Sequence, residues 1–308
     1  VSCGMCLVSC PFGAIVDKGQ IFQLIHAIKR GDRVIAIVAP AFLGQFGPAA
    51  TPERLTPALK RLGFAGVAEV AVGADLCTIE EAIDFLDEVP EKHPFLATSC
   101  CPAWSVMAKK LFPEYADCIS MARTPMVLTA RLQKYKDPDC RVCFIGPCAA
   151  KKLEASRRSI RSDVDFVLTF EELQGMFEAK GVRFEDIPKE EEVPLTEATG
   201  AGRGFAVTGG VAKAVVDAIG RMEPEREVNV VSAEGLDNCR KMLQLAKAGK
   251  YNGYLLEGMA CPGGCVAGAG TIQPIAKTAA AINRYKQTAD SQNAMDSKYE
   301  MALPDLDE

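Results

Sequence analysis

The sequence predicts an α/β fold with two lobes of mainly parallel sheet flanked by helices. Three observations support this prediction. From Arg33 onward, short apolar runs typical of buried strands alternate with longer helical segments, as in parallel sheets covered by helices on both faces. Three of the apolar runs end in loops that contain cysteine. The chain of 308 residues is also long enough to divide its core between two lobes.

The first elements can be placed in chain order. Val34–Val38 is the first predicted strand. Thr51 then begins a helix, because it is a good capping residue and Pro52 suits the first helical position. A second strand is expected at 67–72, and Thr78 with Glu81 fits a capping box that begins a helix toward residue 89.

The second half of the chain continues this alternation. A helix is expected at 170–180 and another at 211–222, the second opened by Thr208 and two glycines. The polar tail after Lys286 is expected to be a helix end followed by disorder. The remaining predicted strands are 95–97, 142–145, 166–168, 228–231 and 254–256.

Composition excludes several classes of function. The net charge is −5 and there is no sizeable basic run, so nucleic acid is not an expected partner. No apolar stretch approaches the roughly 18 residues that span a membrane, and there is no signal peptide, so we expect a cytoplasmic protein without membrane insertion. The 13 cysteines are odd in number and clustered, which favours metal ligation over a disulfide framework.

The N-terminal segment contains part of an iron–sulfur motif. Cys3, Cys6 and Cys10, with Pro11 after them, match the end of the bacterial ferredoxin run C-x2-C-x2-C-x3-C-P. The first cysteine of that run would precede Val1, so we expect an upstream portion. In two-cluster ferredoxins the last cysteine ligates the other cluster. We therefore expect Cys3 and Cys6 to serve one accessory 4Fe-4S cluster and Cys10 another, with neither ligand set complete in this fragment, and with a zinc knuckle as the alternative.

Three loops contain the remaining motif cysteines; they are named the first, second and third cysteine loops and cover residues 98–102, 146–151 and 257–265. In α/β folds, loops after strand ends are where ligands bind. Cys148 precedes a helical run, whose first N–H groups favour an anionic cluster. Gly263 and Gly264 permit positive φ angles and close approach of the backbone to a bulky group. Together the loops predict one shared iron–sulfur centre between the lobes.

These loops resemble the signature motifs of iron–iron (FeFe) hydrogenases, and the resemblance spans roughly residues 33 to 285. It implies an H-cluster: a 4Fe-4S cubane joined through one cysteine to a two-iron unit that carries CO, cyanide and a bridging dithiolate. Matched by motif, the cubane ligands would be Cys101, Cys148, Cys261 and Cys265. The resemblance also implies that Cys265 bridges to the two irons.

The same resemblance implies roles for residues around the two-iron unit. Cys100 would not be a ligand but the thiol that passes protons to and from the bridging dithiolate. Lys151 resembles the lysine that hydrogen-bonds a cyanide ligand, an interaction that also suits a cation beside an anion. Glu154 completes this motif. The other residues expected to contact the two-iron unit are Ala39, Pro40, Phe205 and Met259.

A proton path is implied by three further matches. Glu81, Asp84 and Ser120 fall at the positions of the two carboxylates and the serine that lead from the surface to the thiol in the family. Glu81 and Asp84 are three residues apart, on one face of a helix. Asp84 stands where the family usually has glutamate, so its shorter side chain calls for a bridging water. The alternative is that both are solvated carboxylates on an amphipathic helix.

Some residues depart from the standard catalytic pattern. Ala103 stands where catalytic members have glycine, Gly146 where they usually have methionine, and Met126 where they have glutamine. These changes resemble less-studied subgroups, some of them thought to be hydrogen sensors. Cys100 favours catalysis, because sensor-like members often lose that thiol.

The expected function is therefore the reversible reduction of protons to dihydrogen, with electrons from ferredoxin, another redox protein or accessory clusters, and with maturation proteins as partners. The alternatives are a hydrogen-sensing homologue and a non-catalytic relative in iron–sulfur assembly, against which Cys100, Lys151 and Glu154 argue. The expected domains are a truncated ferredoxin-like segment at 1–30, an H-cluster domain at 31–286 and a polar tail at 287–308.

Overall fold

The computed structural model describes residues 1–307 and arranges the strands of this range in two sheets. Every strand pair is parallel. The strands are β1 Val34–Val38, β2 Gly66–Glu69, β3 Phe95–Ala97, β4 Arg141–Gly146, β5 Phe166–Thr169, β6 Asn229–Glu234 and β7 Tyr254–Met259. The helices are α1 Met5–Ser9, α2 Ile21–Arg30, α3 Pro52–Leu62, α4 Val70–Glu88, α5 Pro102–Leu111, α6 Pro125–Lys136, α7 Ala149–Ala155, α8 Phe170–Lys180, α9 Gly200–Gly204, α10 Gly210–Met222, α11 Leu236–Lys247, α12 Ile275–Tyr285 and α13 Leu303–Asp307.

The first lobe is built on a four-stranded sheet with the order β2-β1-β4-β5. Its central strands are apolar along their length, because helices cover both faces of a parallel sheet. Ile37 of β1 lies opposite Ala68 of β2 and Phe144 of β4, and this layer belongs to the largest buried cluster. The second lobe has three strands in the order β3-β7-β6, packed against α5, α10 and α11.

Helix α4 joins the two lobes and corrects one prediction. Residues 70–72 are the start of this helix and not the end of a strand, and Thr78 lies within it. The Thr78 hydroxyl donates to the carbonyl of Ala74 at 2.8 Å, one turn back, so it caps nothing. The first ten residues of α4 are all buried. A helix buried on every side has no amphipathic period, so its sequence resembles that of a buried strand.

The tail after Lys286 also differs from the prediction. It forms short helical turns that end in α13, which packs against α6. Leu306 is buried, and its carbonyl accepts a hydrogen bond from Arg131. Asn293 donates its side-chain amide to the carbonyl of Asp217 at 2.9 Å. A few buried apolar groups and polar contacts are thus enough to order a mostly polar segment through residue 307; residue 308 lies outside the described range.

The predicted α/β class with two parallel lobes is confirmed. Val34–Val38 and Phe95–Ala97 have the bounds expected from the sequence. The three cysteine loops leave the carboxyl ends of β3, β4 and β7. Because β4 belongs to one sheet and β3 and β7 to the other, the loops meet between the lobes. No helix among the described residues is long and apolar enough to cross a membrane.

Candidate metal centre

A cavity between the lobes, named the central cavity, brings the cysteine loops together. Its volume is about 80 Å³, and its lining is almost entirely apolar. Cys100 and Cys101 enter it from the first loop, Cys148 from the second and Cys265 from the third. Three segments that are far apart in the chain therefore place thiols around one space.

The thiols expected to hold the cubane influence each other electrostatically. Burial raises the pKa of Cys148 to about 11, and the nearby thiol of Cys101 adds to the shift. Burial raises the pKa of Cys261 to about 12, with Cys148 and Cys101 contributing. Burial and the same neighbours raise the pKa of Cys265 well above its ordinary value. These groups are therefore protonated in the metal-free protein at neutral pH, and metal binding must displace their protons.

Close backbone packing fixes the third cysteine loop. Gly263 and Gly264 have φ angles of +96° and +88°, as the sequence led us to expect. A Cβ added at Gly264 would lie 2.7 Å from the backbone nitrogen of Thr208. Just beyond the loop, a Cβ at Gly268 would lie 2.4 Å from the carbonyl oxygen of Pro147 in the second loop. The loop positions of Cys261 and Cys265 are thus set by contacts that no larger residue would allow.

The donor set fits a multinuclear cluster. Within residues 1–307, no three His, Cys, Asp or Glu side chains are grouped closely enough to hold a single metal ion. A mononuclear site needs its thiolates about 2.3 Å from one ion, whereas a 4Fe-4S cubane carries four cysteine thiolates on separate irons. Cys101, Cys148 and Cys265 line the central cavity. Cys261 does not line it, but it lies near enough to Cys148 and Cys101 for them to raise its pKa. Thiols distributed in this way suit the second arrangement. The residues present therefore fit the cubane implied by the sequence.

Lys151 supplies a buried positive charge to the central cavity. Its Nζ lies 2.7 Å from Oε2 of Glu154 and 3.4 Å from the carbonyl oxygen of Cys100. Burial opposes the charged form, but the Glu154 carboxylate and the thiols of Cys148 and Cys100 outweigh it and raise the pKa of Lys151. Thr124 holds Glu154 from the other side through a 2.9 Å hydrogen bond. The ammonium group is therefore fixed where an anionic ligand would meet it.

The apolar residues expected around the two-iron unit all line the central cavity. Ala39 and Pro40 reach it from the turn after β1, Phe205 from the end of α9 and Met259 from the end of β7. The sequence interpretation missed other lining residues, because strand and helix patterns show that they are buried but not which cavity they face. The missed residues are Val70, Ala74, Pro125, Phe144 and Ala206.

Glu81 lies beside the first cysteine loop and is fully buried. Its Oε1 accepts hydrogen bonds from the backbone nitrogen of Ser99 at 2.8 Å and from the Ser99 hydroxyl at 3.4 Å. Its Oε2 has no hydrogen-bond partner among the described residues. Burial, with the carboxylates of Asp84 and Glu257, raises the pKa of Glu81 to about 7. Burial and Glu81 in turn keep the pKa of Cys100 well above its ordinary value.

Two side chains in the outer part of the predicted proton path contact each other. The Ser120 hydroxyl donates to Oδ2 of Asp84 at 3.0 Å, so this step needs no bridging water. Asp84 is partly exposed, and burial is the main cause that raises its pKa. The inner gap lies at Oε2 of Glu81, which makes no hydrogen bond to Ser120 or to any other described residue. The Ser99 hydroxyl was missed from the sequence, although its place beside Cys100 was a usable signal.

The cysteines of the N-terminal segment lie outside the central cavity. Cys3 packs near Cys101 and Cys148 against a small cluster of buried alanines. Cys6 is exposed. The thiol of Cys10 faces backbone N–H groups of residues 12–15, the first of which contributes most to lowering its pKa. The segment thus extends from the edge of the candidate centre to the surface.

An ion-pair network attaches this segment to the first lobe. Lys152 of α7 pairs with Asp17 at 2.7 Å and with Glu172 of α8 at 2.8 Å. The side-chain oxygen of Gln20 accepts from the backbone nitrogen of Val167, at the free edge of β5, at 2.8 Å. These contacts hold the segment next to the second cysteine loop.

Known proteins are similar to this chain in sequence and fold. The chain is 30% identical to the NADP-reducing hydrogenase subunit HndD of Solidesulfovibrio fructosivorans, over 87% of this chain and 55% of that protein. It is 28% identical to a probable cytosolic Fe-S cluster assembly factor of Aedes aegypti, over 74% of this chain and 58% of that protein. The chain therefore spans little more than half of the length of these relatives.

A solved structure and a family model agree with this similarity. The apo form of a variant of the HydA1 [FeFe]-hydrogenase of Chlamydomonas reinhardtii matches with a TM-score of 0.76 at 22% identity, over 94% of both chains. This likeness supports the fold. The family model for the C-terminal domain of the iron-only hydrogenase large subunit matches residues 32–269. The match covers most of the chain, from β1 through all three cysteine loops, and the chain therefore belongs to the iron-only hydrogenase large-subunit family.

Proposed function

We propose that this chain is an FeFe hydrogenase that reversibly reduces protons to dihydrogen. The observation that carries the proposal is the position of Cys100, whose half-buried thiol lines the cysteine-rich cavity and interacts electrostatically with Glu81. A thiol in the cavity and a buried carboxylate behind it are the parts that proton delivery to an enclosed metal site requires. When bound, the H-cluster supplies the electrons and the iron at which dihydrogen is made or split.

Four thiols would hold the cubane in this proposal: Cys101, Cys148, Cys261 and Cys265, with Cys265 also bridging to the two-iron unit. Lys151 would donate to an anionic cyanide from its fixed, buried position. The apolar wall would exclude water, which strengthens the interaction of Lys151 with an anion. The residues of this wall are Ala39, Pro40, Phe205 and Met259.

Proton movement would use the groups behind the cavity. The Cys100 thiol, with its high pKa, holds a proton and exchanges it with Glu81. A carboxyl whose pKa is about 7 can donate and accept protons with similar ease at neutral pH. From Glu81 the proton would pass to Ser120 across the gap marked by Oε2, and then to Asp84 at the surface.

Electrons would enter through the N-terminal segment at 1–30, in which Cys3 and Cys6 would serve one accessory 4Fe-4S cluster and Cys10 another. The proximity of Cys3 to Cys101 and Cys148 supports this route into the domain at 31–286. Ferredoxin or another redox protein would deliver the electrons, and hydrogenase maturation proteins would build the two-iron unit. We propose a cytoplasmic location, and the remaining residues, 287–308, form the tail.

The direct test of activity is a hydrogen assay. The full chain would be produced anaerobically together with maturation proteins, and hydrogen evolution from a reduced viologen dye would be measured. We expect turnover above that of the same chain produced without maturation proteins. Equal, background-level rates from both preparations, while a known hydrogenase matured in the same cells is active, would contradict the proposal.

A second candidate is a role in iron–sulfur assembly, favoured by the similarity to the Aedes aegypti assembly factor. Such a protein would carry iron–sulfur clusters without the two-iron unit. The buried ammonium of Lys151 and the thiol of Cys100 would then face a space that holds no anionic ligand. A hydrogen sensor is a third candidate, supported by Ala103 and Gly146 at positions where catalytic members differ; slow turnover by a fully matured chain would favour it.

A further inference from the structure

Gly146 is the last residue of β4 and the first residue of the second cysteine loop. A Cβ placed there would lie 2.5 Å from Cζ and 2.6 Å from Cε1 of the Phe144 ring, and 3.2 Å from Cβ of Ala39. Carbon atoms do not approach so closely without displacement of one of them. The φ angle of Gly146 is not in the left-handed region. Space beside the ring of Phe144, and not backbone conformation, is therefore what requires glycine here.

Phe144 and Gly146 are two residues apart on one strand, so their side-chain positions share a face of the sheet. Phe144 is buried and lines the central cavity close to the turn that carries Ala39 and Pro40. Its ring thus occupies the position that a larger side chain at 146 would take. Of residues 144 and 146, only residue 144 places a bulky side chain in this wall.

We propose that Phe144 determines the free space on this side of the central cavity, with Gly146 making room for its ring. Small apolar molecules such as dihydrogen, carbon monoxide and dioxygen would reach only the space that the ring leaves open. A larger residue at position 146 would require a smaller one at position 144. This inference rests on the proposed function only in naming these molecules, because the steric relation exists without any cofactor.

Xenon binding tests the steric relation in the full chain before maturation, since xenon enters dry apolar cavities. Crystals of the parent, Phe144→Ala and Phe144→Ala/Gly146→Met proteins would be pressurised with xenon. We expect severalfold higher occupancy beside residue 144 in Phe144→Ala, and a return toward the parent value in the double variant as the methionine fills the space. Unchanged occupancy in Phe144→Ala would overturn the proposal.

Thermal unfolding tests the coupling of the two positions. Gly146→Met alone should lower the unfolding midpoint more than the double variant does, because the clash with the ring is then relieved. A double variant that is less stable than both single variants by an additive amount would contradict the coupling. Gly146→Ala and Phe144→Leu serve as milder versions if Gly146→Met does not fold, and the same inequality must hold for them.

A third measurement uses the matured protein. Phe144→Ala should lower the concentration of carbon monoxide that inhibits by severalfold and shift the infrared bands of the bound CO ligands. The control is Phe166→Ala, which removes a buried ring from the neighbouring strand β5 outside the central cavity. The Phe166→Ala variant should be less stable than the parent, but its carbon monoxide inhibition and its infrared bands should not change. Equal effects of both substitutions would overturn the role of Phe144 in the cavity. If no variant matures, the xenon and unfolding results still decide the inference, so its failure is distinct from failure of the proposed hydrogenase function.

Discussion

The cysteines of the central cavity and those of the N-terminal segment have opposite environments. Burial and neighbouring thiols raise the pKa of Cys148 and Cys265, whereas backbone N–H groups lower the pKa of the partly exposed Cys10. The central thiols lose their protons only when metal replaces them, inside a fixed frame. The thiol of Cys10 loses its proton more readily and is partly exposed. The difference suits a catalytic centre that excludes water and an outer site that exchanges electrons.

The scaffolds of the two regions differ as well. The central thiols follow parallel strands whose residues are almost all buried, and glycine contacts fix the third loop. Cys3 and Cys10 flank α1, a five-residue helix with no buried residue, and Cys6 lies within it. Substitutions should therefore have large, specific effects at the centre and milder effects in the segment. The following predictions test this contrast from the largest expected effect to the smallest.

Replacing Cys265 by serine should abolish the central cluster, because this thiol is proposed to serve both the cubane and the two-iron unit. Iron and acid-labile sulfide, measured after anaerobic purification, should fall by the content of one cubane or more. Cys239→Ser is the matched control, since Cys239 is a buried thiol outside the central cavity. Iron content that is unchanged in Cys265→Ser would contradict the ligand assignment.

Cys100→Ala should lower hydrogen evolution by at least about a hundredfold, because general acid–base groups contribute about 10²–10⁴ to rates. The infrared bands of the two-iron unit should persist, since Cys100 is not proposed as a ligand. Cys118→Ala, at a buried thiol elsewhere in the second lobe, should keep most of the activity. Parent-like turnover by Cys100→Ala would end its assignment as the proton carrier.

The two carboxylates of the proton path should differ in importance. Glu81→Gln should reduce turnover by about a hundredfold, because a fully buried relay group has no substitute. Asp84→Asn should have a smaller effect, because Asp84 is partly exposed and water can replace it. Steady-state rates across pH would measure both. A larger loss in Asp84→Asn than in Glu81→Gln would reverse the proposed order along the path.

Glu81 should also affect stability as pH changes in the metal-free chain. Its pKa rises from 4.5 to about 7 on folding, so the stabilisation is complete below pH 4.5 and is lost as pH rises through about 7. The loss is at most about 3 kcal/mol. Asp75 and Glu80, also raised to about 7, change stability in the same direction. Denaturant unfolding should therefore show a shallower fall with pH in Glu81→Gln than in the parent, and identical slopes would argue against a raised pKa at Glu81.

Cys10→Ser should have the smallest effect at the centre. Viologen dyes can donate directly to the domain, so dye-driven turnover should remain near the parent value. Turnover driven by reduced ferredoxin should fall, because the accessory cluster that Cys10 is proposed to serve would lose one of its ligands. If ferredoxin-driven turnover is unaffected, the N-terminal segment is not the route of electron entry.

The sequence predicted the strands well where local pattern decides structure. Val34–Val38 is an uninterrupted β-branched and apolar run that follows Arg33 and ends at Ala39 and Pro40, and its bounds were correct. Helix α4 was misplaced because its first half is buried on all sides and has no periodic polar face. The tail was misjudged because its order depends on contacts made with distant elements, such as that of Leu306 with Arg131.

Some features of the candidate site could likewise be predicted from the sequence, and others could not. Cysteine spacing is a local feature, so the loops with Cys148 and Cys265 could be read directly from the sequence. Phe144 could not, because its place in the cavity depends on how β4 packs beside the turn after β1. Its relation to Gly146 is visible only once an added Cβ is found to meet the ring.

Infrared spectroscopy of the matured chain tests the central claim most directly, because CO and cyanide absorb where no protein group does. The full chain, produced anaerobically with maturation proteins, should show bands of both ligands, and Lys151→Met should shift or remove cyanide bands. The claim that this chain holds an H-cluster would be contradicted if no such bands appear while a known FeFe hydrogenase matured in the same cells shows them.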